Sequence, residues 1–381
     1  MNWRVPLADL HYDLNEEHAV LDVLWSRWLT MGMVTQEFET EFAKLVGVKH
    51  AFAVTNATVA LHLAYRALGI GPGDEVIAPA LTFVATTNAA LYTGAEVRFA
   101  DILGAHDLNL APAAIEKQIT PRTCAIAVVH YGGYPCQMNA ILDLAARYKL
   151  AVVEDAAHAP GATLQGKALG AWGDAGCFSF FSNKNLSTGE GGMLVTNRDD
   201  VAERVRLMRS HGMTTLTWDR HQGHAYTYDV VELGYNYRMD ELRSALGLAQ
   251  LRKLRADNLC RQAITETYWQ RLQDTALELP FRDAPAQSAH HLFPVLLPPG
   301  ANRQRFMDCL RAEGVQTSIH YPPIHQFTYY RKRYPDVALP QTEAVAARQV
   351  TLPLFPMMSD AMIDLVVAAT RRALKEIAPS A

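Results

Sequence analysis

Between residues 50 and 200 the chain alternates short β-rich runs with helical repeats, and this alternation restricts the fold more than any other feature. The β-rich runs fall at 50–54, 75–79, 96–100, 124–130, 151–154, 176–181 and 193–196. Helical patterns at 58–68, 83–92, 112–118 and 138–148 separate the first five of them. Strand and helix in alternation predict an α/β fold, with a largely parallel sheet covered by helices on both faces. Seven runs fit one large sheet. In such sheets a ligand binds beyond the carboxyl ends of the strands, which directs the search for chemistry.

The flanks add to this plan. Val20, Leu21, Leu24, Trp25 and Trp28 recur at helical spacing, so a helix is predicted over 16–30. Residues 201–211 read as a charged helix, 212–229 as a long loop, and 238–258 as a strong amphipathic helix. Beyond it a smaller α+β unit is predicted: strand 291–297, helix 303–313, strand 316–320 and a terminal helix over 361–377. The division is placed near residue 255, on the long helix, giving a large domain of residues 1–255 and a small one of 256–381.

Composition narrows the class. A chain of 381 residues with 49% apolar residues can bury a sizeable core and lies far from the disorder signature. Net charge of −4 gives no support for a nucleic-acid surface. No apolar run approaches the length of a membrane span, and the first ten residues lack the apolar core of a signal peptide. The five cysteines form no C-x-x-C pair and read as reduced thiols. A cytoplasmic protein is expected.

The chemistry gathers around Lys184. A buried run ending near Phe181 enters a polar turn, Ser182-Asn183-Lys184-Asn185, and a second apolar run leaves it after Gly192. Lysine is rarely buried without a partner, so a lysine between two core strands points either to a Schiff base or to an ordinary surface hairpin. The fifth strand ends in Glu154-Asp155-Ala156-Ala157-His158. Carboxylates at that edge could bind a metal, cap a helix or hold a cation such as a protonated pyridine nitrogen. The first strand ends in Thr55-Asn56-Ala57-Thr58, opening a helix whose free N–H groups suit a phosphate. Thr82-Phe83 places an aromatic ring at the same edge.

Two rival motifs fail. Residues 161–167 match the first seven positions of a P-loop, but Ala168 stands where a magnesium-binding hydroxyl is required. The glycines of Gly69-Ile70-Gly71-Pro72-Gly73 have the wrong spacing for a dinucleotide fingerprint. Fourteen histidines include no H-E-x-x-H, and no metal site is read.

A strand-end Asp155, a lysine 29 residues later and a phosphate-type helix start together resemble a fold-type-I pyridoxal-phosphate (PLP) enzyme. The finer pattern is similar to the DegT/StrS nucleotide-sugar aminotransferases. It is carried by Leu29-Thr30-Met31-Gly32, by Gly73-Asp74-Glu75-Val76-Ile77-Ala78-Pro79 with Thr82-Phe83, and by Glu154-Asp155-Ala156-Ala157-His158-Ala159. Gly189-Glu190-Gly191-Gly192 and Gly234-Tyr235-Asn236-Tyr237-Arg238-Met239 complete it, in the family's order and across nearly the whole chain.

The resemblance implies that Lys184 forms the Schiff base with PLP and shuttles a proton, the cofactor passing through its pyridoxamine phosphate form. It implies that Asp155 pairs with the ring nitrogen, Phe83 stacks on the ring and His158 contacts its oxygen side. The phosphate would sit on Ala57, Thr58 and Ser179, with Asn236 reaching in from the second subunit of a homodimer. Glu190 belongs to the family turn.

Two departures stand out: Ala57 replaces a common glycine, and Phe181-Ser182-Asn183 replaces a histidine-containing lead into the lysine. Some relatives carry histidine in place of the lysine and act as dehydratases; Lys184 argues for transamination. The implied substrates are glutamate and a nucleotide-linked keto-sugar. Thr217-Trp218-Asp219-Arg220 is similar to relatives that aminate C4 of such sugars. Amination at C3, a keto-cyclitol substrate or a non-catalytic regulatory protein are the alternatives. His211, Arg220, His320 and Tyr321 are candidate substrate contacts, with solvated or core roles open for each.

Overall fold

A computed structural model describes residues 3–215, 227–284 and 287–377. Helices α1 (Leu14–Ser26) and α2 (Met33–Val46) precede β1 (His50–Val54), α3 (Ala57–Ala67), β2 (Glu75–Pro79), α4 (Ala85–Tyr92) and β3 (Glu96–Ala100). Next come α5 (Pro112–Gln118), β4 (Thr123–Val129), α6 (Met138–Tyr148) and β5 (Ala151–Asp155). A small hairpin, β6 (Thr163–Leu164) and β7 (Lys167–Ala168), leads to β8 (Ala175–Ser179), β9 (Gly192–Thr196), α7 (Asp199–Met208) and the long α8 (Glu241–Leu272). The chain then forms β10 (Phe293–Leu296), α9 (Arg303–Ala312), α10 (Thr328–Arg333), α11 (Pro340–Arg348), β11 (Gln349–Leu352) and α12 (Asp360–Ile377).

The seven expected strands form one sheet in the order β1-β9-β8-β5-β4-β2-β3. Only β9 runs against its neighbours; the other adjacent pairs are parallel. Burial on both faces explains the continuous apolar runs. Phe52, Val54, Val76, Ala78, Ala125, Ala127 and Leu194 face a core with α3, α4 and α7. Their neighbours Ala51, Ala53, Met193 and Val195 face α2, where Phe38 and Phe42 pack on Phe178 and Phe180. Farther along that face, Ile77, Ile126 and Val152 pack with Ile115 of α5 and Ile141 of α6.

A separate buried cluster joins the second half of α8 (Ile264, Tyr268, Leu272) to β10, β11, α9 and α12. Val5 belongs to it, bridged to Val315. Helix α8 therefore serves two cores, Leu248 and Leu254 lying in one and Ile264 onward in the other.

Several expectations need adjustment. The amphipathic helix runs to Leu272, well beyond residue 258, and starts at Glu241 because Asp240 caps it, accepting from the Arg243 amide at 2.9 Å. The strand expected over 316–320 is absent. Ser318 makes one bridge to Thr351, but the Gln316 amide turns to Val5 and the His320 amide to the Gln349 side chain, so no ladder propagates. Helices α2, α10 and α11 and strand β11 add to the expected elements. The P-loop look-alike is the β6–β7 hairpin, whose turn residues Gln165 and Gly166 both have positive φ. Among the described residues no helix is long and apolar enough to cross a membrane.

Candidate active site

Strands β1, β2, β4, β5 and β8 end at the same edge of the sheet, and a cavity of about 550 Å³ opens there. Its walls include Ala57, Thr58, Phe83, Asp155, His158, Ser179, Lys184, His320 and Tyr321. Nine sequence-predicted residues thus meet in one place. Asn236 does not line it; the residue is exposed on its own chain and bridges to Ser210. His211 is also elsewhere, its amide bonded to the Tyr235 carbonyl. Residues 217–220, including Arg220, lie outside the described residues.

Lys184 sits in the loop between β8 and β9, and its Nζ makes no hydrogen bond or ion pair among the described residues. Burial lowers its pKa to about 8, partly offset by the negative charge of Asp155. Asp155 closes β5. Burial raises its pKa, opposed by two donors and by the charge of Lys184. The donors are the Thr86 hydroxyl, 2.7 Å from Oδ2, and the Ala157 amide, 3.2 Å from Oδ1. Thr82 stands 3.2 Å behind Thr86, hydroxyl to hydroxyl. The sequence gives no sign of Thr86, which the first turn of α4 places beside Asp155.

The neighbouring carboxylate, Glu154, points the other way because successive side chains alternate across a strand. It pairs with His130 at 2.9 Å and accepts the amides of Gly170, Trp172 and Gly173. Both residues are fully buried. Glu154 therefore organises the loop before β8 and offers nothing to the cavity.

The start of α3 forms the floor. Asn56 Oδ1 caps the helix through the Val59 amide at 3.0 Å, which leaves the Ala57 and Thr58 amides without acceptors among the described residues. Gly192 lets β9 approach this turn: a Cβ there would fall 2.5 Å from the Asn56 carbonyl carbon. Ser179, nearly buried, borders the same corner. Phe83 is 58% exposed, an unusual state for a phenylalanine on a cavity wall, and it leaves a bare aromatic face. A free, half-buried amine, a buried acid, unpaired helix-start amides and a bare ring match the aldehyde, ring nitrogen, phosphate and ring face of PLP. The residues present fit that cofactor.

The sequence matches the DegT/DnrJ/EryC1/StrS aminotransferase family over residues 11–371. It is 41% identical over 368 residues to the spore coat polysaccharide biosynthesis protein SpsC of Bacillus subtilis (strain 168), covering 94% of each chain. Among solved structures, DesV of S. venezuelae in complex with a ketimine intermediate is 34% identical, with a TM-score of 0.89 and coverage of 97% of this chain and 98% of that one. The PLP form of Spr1654 from Streptococcus pneumoniae, a putative sugar aminotransferase by its description, is 25% identical, with a TM-score of 0.91 and coverage of 98% and 99%. The chain belongs to the DegT/DnrJ/EryC1/StrS aminotransferase family, has the fold-type-I architecture and is a PLP-dependent aminotransferase.

Proposed function

We propose that the protein moves an amino group from glutamate to the ketone of a nucleotide-linked sugar, at C4, in the biosynthesis of an amino sugar for a polysaccharide or antibiotic. The observation that carries this reading is the unpaired Nζ of Lys184 sharing a cavity with the buried Asp155 at the carboxyl edge of the sheet. PLP bound there supplies a carbonyl that carries the amino group and a ring that withdraws electrons. Lys184, with its pKa lowered to about 8, loses its proton far more readily near neutral pH than an ordinary lysine and can take up and return a proton at Nζ. Asp155, with Thr86 donating to Oδ2, holds negative charge against the ring nitrogen. Ala57, Thr58 and Ser179 bind the phosphate, and Phe83 packs on the ring.

Asn236, exposed on its own subunit, completes that phosphate site in a partner, so the enzyme works as a homodimer. His158 orders the oxygen side of the cavity, while His320, Tyr321 and Arg220 face the sugar nucleotide. The chain divides into two domains near residue 255, a reading supported by the two cores that α8 serves, and the cytoplasm is the site of action. The sugar substrate is supported by the likeness to Spr1654, named a putative sugar aminotransferase, and to SpsC, a spore coat polysaccharide biosynthesis protein. The C4 position is supported by the 217–220 resemblance.

The test begins with the purified protein and PLP: a yellow chromophore should form and borohydride should fix it on Lys184. Glutamate should then bleach it, and a panel of UDP-, dTDP- and GDP-keto-sugars should restore it. A protein that takes up no PLP defeats the proposal; one bleached by glutamate but restored by no keto-sugar defeats the substrate.

A further inference from the structure

The oxygen side of the cavity carries a directional hydrogen-bond chain. His158 is buried, with Nδ1 3.2 Å from the Gly132 amide and Nε2 3.0 Å from the Tyr321 hydroxyl. A backbone N–H only donates, so Nδ1 is the bare acceptor and a neutral ring carries its hydrogen on Nε2. Burial, reinforced by the charges of Lys184 and His320, lowers the His158 pKa well below its ordinary value, so the ring stays neutral. Nε2 therefore donates to the Tyr321 oxygen. The hydroxyl hydrogen of Tyr321 must point elsewhere, and the described residues offer it no acceptor except the cavity it lines.

The surroundings hold this arrangement. Tyr321 stacks on His158, ring centroids 6.1 Å apart and 17° from parallel, and His158 packs on His291 at 4.4 Å. His291 Nδ1 lies 2.9 Å from Asn185 Oδ1. That oxygen is an acceptor because Asn185 Nδ2 donates to Asn258 Oδ1 and to the Ala289 carbonyl. Burial raises the Tyr321 pKa, and the charge of Asp155 adds to it, so the phenol keeps its proton.

We propose that Tyr321 is the oriented hydrogen-bond donor of the acceptor half-reaction, presenting its O–H to an oxygen of the bound keto-sugar, and that His158 is the positioning residue that aims it. The proposal rests on the keto-sugar reading above and assigns two of its residues distinct tasks. Both His158 nitrogens are committed within the protein, so the donor that faces the ligand is one residue removed from the histidine.

The test separates aiming from folding. In the ¹⁵N-imidazole spectrum of the apoprotein, the resonance missing from H158Q should show the Nε2–H tautomer and no titration between about pH 5 and 8. Y321F should form the PLP chromophore and react with glutamate as the wild type does, yet lose about 3- to 10-fold in kcat/KM for the keto-sugar, as a lost neutral hydrogen bond dictates. H158Q retains an N–H able to reach Tyr321 and should keep most activity. H158L should lose as much as Y321F, and the double variant no more than either, because one interaction is being removed twice. An Nδ1–H or titrating His158, an unchanged Y321F, or additive losses would overturn the proposal. A wild-type protein that aminates no keto-sugar refutes the substrate reading and this proposal together, whereas a normal wild type beside an unchanged Y321F refutes this one alone.

Discussion

Replacing Thr86 with valine removes one hydroxyl and keeps the branched shape of a fully buried side chain. In the wild type that hydroxyl supplies the shorter of two hydrogen bonds to the Asp155 carboxylate, 2.7 Å against 3.2 Å from the Ala157 amide. A hydrogen bond to a charged group contributes roughly 1.5–3 kcal/mol, so its loss should raise the carboxyl pKa by about one to two units. The sign follows from the physics: the donor favours the anion, burial disfavours it, and T86V leaves burial less opposed. The stability penalty of T86V should accordingly be present above the folded pKa of Asp155 and fade as pH falls through it. Asp155 would also hold the ring nitrogen of PLP less well, weakening cofactor binding by about 10- to 100-fold. Two measurements check this: the Asp155 carboxyl titration in the apoprotein by ¹³C NMR, and PLP titration followed by absorbance. T86S should restore both. An unchanged carboxyl midpoint with wild-type PLP affinity would refute the reasoning.

The remaining predictions concern the cavity and its neighbours. In apo Lys184→Met a half-buried, unpaired cation is gone; the drop from 10.5 to about 8 corresponds to at most roughly 3 kcal/mol, so the variant should be more stable than wild type near neutral pH. Because the unfolded chain binds the extra proton between pH 8 and 10.5, wild-type stability rises over that window and the gap in urea denaturation should close. Mixing inactive K184A with N236A should recover up to about a quarter of wild-type activity if Asn236 serves the partner's site; no recovery removes the shared site. Gly192→Ala should destabilise by roughly 1–3 kcal/mol through overpacking against the α3 start, seen as a lowered Tm, and a neutral effect would contradict the close approach.

Where the sequence could be read, a local pattern matched a local cause. Strands β1 and β2 fall on the residues expected because each is a short, mainly apolar run buried along nearly its whole length, and β3 does so through Val97, Phe99 and Ala100, buried beside the half-buried Glu96 and Arg98. Lys184 and Asp155 were legible because each interrupts such a run with a charge at the ligand edge. Thr86 and Gly132 were not, since a hydroxyl inside a helix and a backbone amide carry no signature until the fold sets them beside Asp155 and His158. The Leu29–Gly32 segment shows a similar limit. Its meaning lies 209 residues away, where Glu241 accepts the Gly32, Val34 and Thr35 amides and so caps α2 from the first turn of α8. The failed strand at 316–320 had the right composition, but its backbone divides its bonds among Val5, Thr351 and the Gln349 side chain, so only one bridge to β11 forms.

Helix α8 sets a phase relation between the cavity's floor and its roof. Its 32 uninterrupted residues make a shaft about 48 Å long, advancing about 100° per residue. Asp155 and Lys184 belong to the sheet near one end, whereas His320 and Tyr321 belong to the chain that follows the other. Adding a single residue near the middle of the shaft would turn everything beyond it by about 100° and carry Tyr321 away from His158. Seven residues, close to two full turns, would nearly restore the angle while displacing the roof by about 10 Å. In an evolutionary series of such enzymes, length changes should therefore accumulate in the surface loops and spare this helix.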